Sequence, residues 1–217
     1  MKRSFSFRAV LFDLDGTLCD SLADIGDAVN FVLSRRGFAT HSSDAYRRMI
    51  GEGVELLIRR ALPPSAQDLV AEVVEEYRHR YVEHFADKTV PYPGIPELLD
   101  ALTERKVPIA VLSNKRDDFT AACMKALFAR WPFAVVRGER PGVPRKPDPA
   151  AALEIAEKLD VPPAQVAFVG DTRIDMQTAC AAGMWAVGVT WGFRDRAELV
   201  AHGARAVIEA PHELMGL

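Results

Sequence analysis

Short apolar runs that end in polar or glycine positions recur along the chain. The five runs are residues 8–12, 107–112, 132–136, 165–169 and 185–189. Each is too short for a helix and is typical of a strand buried on both faces. Stretches with helical spacing lie between them, at residues 94–105, 115–130, 149–159 and 173–182. This alternation predicts an α/β fold, a Rossmann-like doubly wound parallel sheet whose functional site lies at the carboxyl ends of the strands.

The segment from residue 21 to about residue 86 breaks the alternation. It contains helical patterns and no convincing strand, with the helices expected at residues 24–36, 44–50, 54–62 and 66–85. Glycine and proline positions separate these patterns. We therefore predict an α/β catalytic core of residues 1–20 and 88–217 and an inserted all-helical cap of residues 21–87. Because the insert follows the polar loop of the first strand, it would form a lid over the site.

The composition limits the classes of partner. The chain of 217 residues carries 27 Lys and Arg against 30 Asp and Glu, a net charge of −3, which provides no global field to attract nucleic acid or an anionic membrane. No stretch approaches the roughly 20 apolar residues of a membrane span, and no signal peptide is recognised. Three cysteines without a C-x-x-C pair fit reduced thiols. We expect a cytoplasmic protein without nucleic-acid or membrane partners, either a monomer or a homodimer.

Carboxylates stand at the ends of two of the predicted strands. Asp13 and Asp15 follow the first run, and their spacing can aim both side chains toward one volume, where one attacks and the other moves protons. Asp171 and Asp175 follow the fourth run and share one face of a helix's first turn; capping that helix is their alternative role. Converging carboxylates repel one another unless a cation is present, and oxygen-only ligands favour Mg²⁺ over zinc.

Three further polar residues provide groups that bind phosphate. Ser113 and Asn114 follow the second run, and Lys146 lies in a loop. Ser113 offers a hydroxyl donor, although it could instead be the N-cap of the helix predicted over residues 115–130. The lysine supplies a positive charge that can neutralise both a nucleophile and a phosphoryl group. Together with the carboxylates, these residues indicate phosphoryl transfer.

Four segments carry a family resemblance. They are DLDGTL at residues 13–18, LSN at 112–114, RKPDP at 145–149 and GDTRIDM at 170–176. In this order they resemble the four motifs of the haloacid dehalogenase superfamily, and the helical insert is similar to that superfamily's small cap. The opening motif, the long first cap helix and the turn at residues 51–53 most resemble the phosphoglycolate phosphatase branch.

The resemblance implies a role for each acid. Asp13 would be the nucleophile that forms an aspartyl-phosphate, and Asp15 would protonate the leaving oxygen and then activate water. Mg²⁺ would be held by Asp13, the main-chain carbonyl of Asp15, and Asp171. Asp175 would support the metal or Lys146 without being a direct metal ligand. Ser113, Asn114 and Lys146 would bind phosphate, so that Lys146 also takes part in catalysis.

The expected activity is Mg²⁺-dependent hydrolysis of a small phosphorylated metabolite, with 2-phosphoglycolate as the candidate. Asp15 favours phosphate esters over halogenated substrates, because a halide leaves without protonation. Two alternatives stay open. A phosphosugar mutase would use the same nucleophile, although Thr17 favours hydrolysis, and a non-catalytic relative would retain only the fold.

Two groups of residues near the motifs have alternative interpretations. Trp191 and Phe193 follow the fifth run, and we interpret them as packing at the rim of the core, with lining of the site as the alternative. Arg194, Arg47 and Arg48 are interpreted as solvent-facing arginines. Their alternative role is contact with a carboxylate of the substrate.

Overall fold

The computed structural model describes residues 6–217. Strands within these residues are numbered along the chain as β1 (Ala9–Phe12), β2 (Cys19–Asp20), β3 (Val90–Pro91), β4 (Ile109–Arg116), β5 (Phe133–Glu139), β6 (Val166–Gly170), β7 (Trp185–Val189) and β8 (Ala206–Ile208). The α-helices are α1 (Leu22–Arg35), α2 (Ser43–Met49), α3 (Val54–Ala61), α4 (Val70–His84), α5 (Ile95–Glu104), α6 (Asp117–Leu127), α7 (Ala150–Lys158), α8 (Arg173–Ala181) and α9 (Arg196–Ala201). Short 3₁₀ segments cover Pro64–Leu69, Pro163–Gln165 and Pro211–Gly216.

Six of the strands form one parallel sheet in the order β5-β4-β1-β6-β7-β8. Strand β1 lies between β4 and β6, with Leu11 opposite Ala110 on one side and Phe168 on the other. The chain therefore winds outward from β1 in both directions, which creates a crevice at the carboxyl ends of the central strands. The predicted fold class is confirmed.

Strand β1 shows why its apolar run is continuous. Successive side chains of a strand point to opposite faces. Val10 and Phe12 pack into the hydrophobic cluster that includes α5 and α6, whereas Ala9 and Leu11 pack into the cluster that includes α7 and α8. With both faces covered, the strand has no polar position until it ends at Asp13.

Several elements differ from the sequence-based prediction. Strand β4 extends to Arg116, which pairs with Glu139 of β5, so that α6 begins at Asp117 and not at residue 115. The helix predicted over residues 66–85 is divided, because the backbone of Ala66 is not helical and a 3₁₀ segment precedes α4. Strand β8 and helix α9 were not predicted, since three and six residues give too short a pattern.

Helices α1 to α4 pack around a hydrophobic cluster of their own, which also receives Phe119 and Phe193 from the sheet side of the molecule. The two connections to this helical region form a short antiparallel ribbon of β2 and β3, which the sequence did not predict. Asp24 of α1 accepts hydrogen bonds from the backbone N–H groups of Lys88 and Thr89 and from the Thr89 hydroxyl. The division into a core and a cap of residues 21–87 stays a prediction.

None of the helices within residues 6–217 has the length and apolar composition that a membrane span requires. The three cysteines are free thiols, with Cys19 and Cys123 buried and Cys180 exposed.

Candidate active site

The loop after β1 places Asp13 at the centre of the sheet edge. The backbone N–H of Asp13 donates to the carbonyl of Val169, 2.9 Å away, which continues the pairing of β1 with β6. The chain then turns at Gly16, whose φ of +87° favours glycine. A Cβ atom at Gly16 would lie 2.2 Å from Oδ2 of Asp171. Glycine therefore allows the first motif to approach the fourth.

Asp13, Asp171 and Asp175 form a buried acidic cluster in which one carboxylate oxygen of each lies within 4.8 Å of the others. Burial raises the pKa of Asp13 to about 7, with Lys146 opposing the shift and Asp175 adding to it. Burial, followed by repulsion from Asp175 and Asp13, raises the pKa of Asp171 well above its usual range. The cluster has an excess of negative charge and only oxygen ligands, so its chemistry fits a hard divalent cation.

Lys146 is the counter-charge within this cluster. Its ammonium donates to Oδ1 of Asp13 at 2.8 Å, to Oδ1 of Asp175 at 2.7 Å and to the carbonyl of Leu112 at 2.9 Å. Burial alone would lower the pKa of Lys146, but the two carboxylates outweigh burial and raise it. The lysine is therefore charged, with all three of its N–H donors used.

The other two acids of the cluster are held by backbone N–H groups and threonine hydroxyls. Asp175 accepts from the N–H and hydroxyl of Thr172, at 3.1 and 2.9 Å, which forms a capping box at the start of α8. Asp171 accepts from the N–H of Phe193 at 2.8 Å and from the hydroxyl of Thr17 at 3.3 Å. Asp175 thus combines helix capping with a place in the acidic cluster, whereas Asp171 is not the N-cap.

Asp15 lies beside the cluster and has a separate set of partners. Its Oδ1 accepts from the ammonium of Lys115 at 2.5 Å and from the hydroxyl of Ser21 at 2.6 Å. The role of its main-chain carbonyl as a metal ligand stays a prediction. Lys115 was missed in the sequence because it was assigned to the helix predicted over residues 115–130. The available signal was its position directly after Ser113 and Asn114 at a strand end.

The two remaining predicted phosphate ligands lie on the same edge and are buried. Asn114 donates to the carbonyl of Lys146 at 3.0 Å and to the carbonyl of Gly51 in the helical region at 3.2 Å. The hydroxyl of Ser113 accepts from the N–H of Lys115 at 3.2 Å. Because α6 begins at Asp117, the alternative role of Ser113 as its N-cap is wrong.

Comparisons with known proteins identify the family of this chain. The family model of the haloacid dehalogenase-like hydrolases matches residues 10–189. The chain belongs to the haloacid dehalogenase-like hydrolase family. The resemblance predicted from the four motifs is thereby confirmed.

Relatives within this hydrolase family support a phosphatase activity. A phosphoglycolate phosphatase of Pseudomonas putida is 34% identical over 93% of this chain and 76% of its own length. One from Escherichia coli K12 is 32% identical over 89% and 85%. The crystal structure of a protein from Lactobacillus delbrueckii subsp. bulgaricus superimposes on this chain with a TM-score of 0.90 at 30% sequence identity, and the match covers 97% of both chains.

The helical region of the hydrolase contacts the sheet edge through two arginines. The guanidinium of Arg194 donates to the carbonyls of Arg47, Arg48 and Ile50, with distances of 3.1 and 2.9 Å to the last two. Arg47 in turn donates to the carbonyl of Gly192 at 2.7 Å. The interpretation of Arg194 and Arg47 as solvent-facing is therefore wrong, whereas Arg48 is exposed. Their partners are distant in sequence, so that no local pattern reveals them.

The two aromatic residues after β7 pack in different places. Trp191 packs against the hydrophobic cluster of the sheet, and its indole N–H donates to the carbonyl of Thr17 at 3.0 Å, which agrees with the predicted role at the rim of the core. The Phe193 side chain is instead buried in the hydrophobic cluster of α1 to α4.

A cavity of about 70 Å³ lies between the sheet edge and the helical region. Its floor on the sheet side includes Asp13, Asp15, Ser113, Asn114, Lys115, Arg116 and Phe119. Its roof includes Ile25, Ile50, Gly51, Val54, Leu57, Tyr77, Arg78 and Tyr81. The nucleophile and proton-transfer group predicted from the sequence therefore face a largely apolar chamber.

Proposed function

We propose that the hydrolase is a Mg²⁺-dependent phosphatase that cleaves small phosphate monoesters through an aspartyl-phosphate on Asp13. The observation that carries this proposal is the buried lysine between Asp13 and Asp175, with Asp171 completing the acidic cluster. A cluster with this excess of negative charge would bind an anionic phosphate only when a cation is also bound. Phosphoryl transfer requires both the phosphate and the cation. The names of the relatives make 2-phosphoglycolate the candidate substrate.

Formation of the intermediate requires an attacking oxygen and a proton for the leaving group. Oδ1 of Asp13 is bonded to Lys146, which leaves Oδ2 to attack phosphorus. As the new P–O bond forms, the ester P–O bond breaks and the leaving alkoxide takes a proton from Asp15. Ser21 and Lys115 bind Oδ1 of Asp15, so that its other oxygen can carry this proton.

Hydrolysis of the intermediate reverses the role of Asp15. Its carboxylate takes a proton from a water molecule, and the resulting hydroxide attacks phosphorus while the bond to Asp13 breaks. Inorganic phosphate leaves and both aspartates return to their starting states. Lys146 stays bonded to Asp13 and Asp175 and neutralises charge at the nucleophile, while Ser113 and Asn114 position phosphate oxygens.

The proposed metal site uses the carboxylates of Asp13 and Asp171 and the main-chain carbonyl of Asp15, with Asp175 close enough to share in it. When bound, Mg²⁺ would neutralise the acids and the phosphate oxygens. The raised pKa values of Asp13 and Asp171 agree with this assignment, because burial and the neighbouring carboxylates disfavour their charged forms, which a bound cation would stabilise.

A phosphate-release assay tests the proposal. The wild-type chain is assayed with Mg²⁺ or EDTA on a panel that includes 2-phosphoglycolate, p-nitrophenyl phosphate and sugar phosphates, with Asp13→Asn as the inactive control. We expect release only with Mg²⁺ and only from the wild type. No turnover of any ester, or full activity of Asp13→Asn, would refute the proposal. Phosphorus NMR of the products distinguishes hydrolysis from the isomerisation that a mutase would give.

The remaining expectations concern the environment of the enzyme. Relatives of this chain are named for a small phosphorylated substrate, and we propose a substrate of that class here. A cytoplasmic location and a monomeric or homodimeric state stay predictions, which fractionation and light scattering would test.

A further inference from the structure

Two buried donors without partners line the cavity beside Asp13. In the described part of the chain, the buried side-chain N and O atoms without a hydrogen bond belong to Arg78, Tyr81, Arg137, Arg140 and Trp185. Of these residues, Arg78 and Tyr81 line the cavity, and their unpaired atoms are the Arg78 Nε and the Tyr81 hydroxyl oxygen. Buried donors are nearly always paired, so an unpaired donor at a cavity wall indicates a ligand that completes it.

Tyr81 is held rigidly in this position. Its side chain is fully buried, stacks on Tyr77 with ring centres 5.1 Å apart and meets Phe119 edge-on at 5.5 Å. The ammonium of Lys115 lies 5.2 Å from the centre of its ring and also binds Asp15. Burial raises the pKa of Tyr81, so that the hydroxyl keeps its proton. The hydroxyl is therefore a donor that the packing of its ring holds in a fixed place.

The cavity receives one arginine from its roof and one from its floor. Arg78 and Arg116 both line it, and their carboxylate partners, Glu75 and Asp118, are largely exposed. Exposed ion pairs are weak, so either arginine can exchange its partner for a bound anion at little cost. Apolar side chains of the roof, such as Leu57, would exclude water and strengthen such a contact.

We infer that Tyr81 and Arg78 form the subsite for a carboxylate on the leaving group, which makes the substrate a phosphate monoester of a short hydroxy acid. This inference rests on the proposed phosphatase function. The two residues determine specificity and lie outside the set that acts on the phosphoryl group.

Paired substrates and paired variants test the subsite. The substrates are 2-phosphoglycolate and 2-hydroxyethyl phosphate, which replaces the carboxylate by a neutral alcohol. Tyr81→Phe removes only the hydroxyl and keeps the ring packing, and Arg78→Met keeps the length of the stem. The control is Arg80→Met on the same helix, because Arg80 lies over the ring of Phe31 at 4.4 Å and does not border the cavity.

We expect each cavity variant to lower kcat/KM for 2-phosphoglycolate about 10-fold, mainly through KM, because a hydrogen bond to a charged group is lost. The neutral ester should change less than about 3-fold, and Arg80→Met should affect neither substrate. Equal losses for both esters, or no loss for either, would overturn the subsite. A wild type that cleaves both esters with the same kcat/KM would do so as well.

A binding measurement separates this inference from the proposed function. In the Asp13→Asn background with Mg²⁺, the Kd of 2-phosphoglycolate is measured by calorimetry with and without Tyr81→Phe. A roughly 10-fold weakening, without a similar change for 2-hydroxyethyl phosphate, supports the subsite even if the wild type hydrolyses no ester. Unchanged affinity refutes the subsite even if hydrolysis is found.

Discussion

The floor and the roof of one cavity differ in how their polar groups are satisfied. Beside the floor, Lys146 uses all of its donors on protein acceptors, one of which is the floor residue Asp13, and each acid of the cluster has fixed partners. On the roof, Arg78 and Tyr81 have buried donors that no protein group accepts. The floor therefore keeps its geometry when no substrate is bound, which suits a reaction that is common to all phosphate esters. The roof, in contrast, has donors that only a part of the substrate would pair. Changes to the floor should affect every ester, and changes to the roof should distinguish between esters.

The largest effect is expected from Lys146→Met. The variant leaves Asp13 and Asp175 buried without their shared counter-ion, which should cost about 3–5 kcal/mol of unfolding free energy. Phosphate release should fall at least about 1,000-fold for all substrates alike, because the charge at the nucleophile is lost. Urea denaturation and the phosphate-release assay measure the two effects.

Lys158→Met is the matched control, since Lys158 is a partly exposed lysine whose ion pair with Glu154 lies outside the cavity. It should change stability by less than about 1 kcal/mol and leave activity unaltered. If Lys146→Met were to lower activity for 2-phosphoglycolate alone, the floor would discriminate between substrates and the contrast with the roof would fail.

The sequence predicted the floor well because each of its acids follows an apolar strand. Parallel strands bring their carboxyl ends to one edge, so Asp13 and Asp171 could be expected to meet although more than 150 positions separate them. Lys115 was missed because its neighbours have helical spacing and only the extension of β4 places it at the edge. The contacts of Arg194 and the unpaired donor of Tyr81 depend on packing between segments that are distant in sequence, which no local pattern encodes.

Gly16→Ala should have the next largest effect. The new Cβ would lie 2.2 Å from Oδ2 of Asp171 and displace an acid of the cluster. We expect phosphate release to fall about 100-fold for every ester, since small displacements at a reacting centre are costly. Gly142→Ala is the control, because Gly142 also has positive φ, +78°, but nothing lies within 4 Å of its Cβ position. Similar losses in both variants would mean that backbone strain, and not crowding of Asp171, is responsible.

Arg194→Met tests the contact between floor and roof. The variant removes the donors to the carbonyls of Arg48 and Ile50, which precede the glycine turn that lines the cavity. We expect KM to rise about 10-fold for charged and neutral esters alike, because the roof closes less firmly. Arg196→Met removes an exposed pair with Glu209 and should have no effect. A rise in KM for 2-phosphoglycolate alone would assign Arg194 to substrate recognition and not to closure.

The smallest expected effect is a pH dependence of stability that belongs to the floor. In the metal-free protein the pKa of Asp13 is raised to about 7, so the folded state binds a proton more tightly than the unfolded state does. Stability is therefore higher at low pH and is lost as the pH rises through about 7.

We expect Tm in EDTA to fall by about 5 °C between pH 5.5 and 8, and Mg²⁺ to remove the fall by favouring the ionised carboxylates. Asp13→Asn should reduce the slope in EDTA, whereas Tyr81→Phe should leave it unchanged, because burial raises the pKa of the Tyr81 hydroxyl well above this range. If the slope were unaltered in Asp13→Asn, the titrating proton would belong to another group. The pH dependence would then no longer indicate that the floor lacks counter-charge.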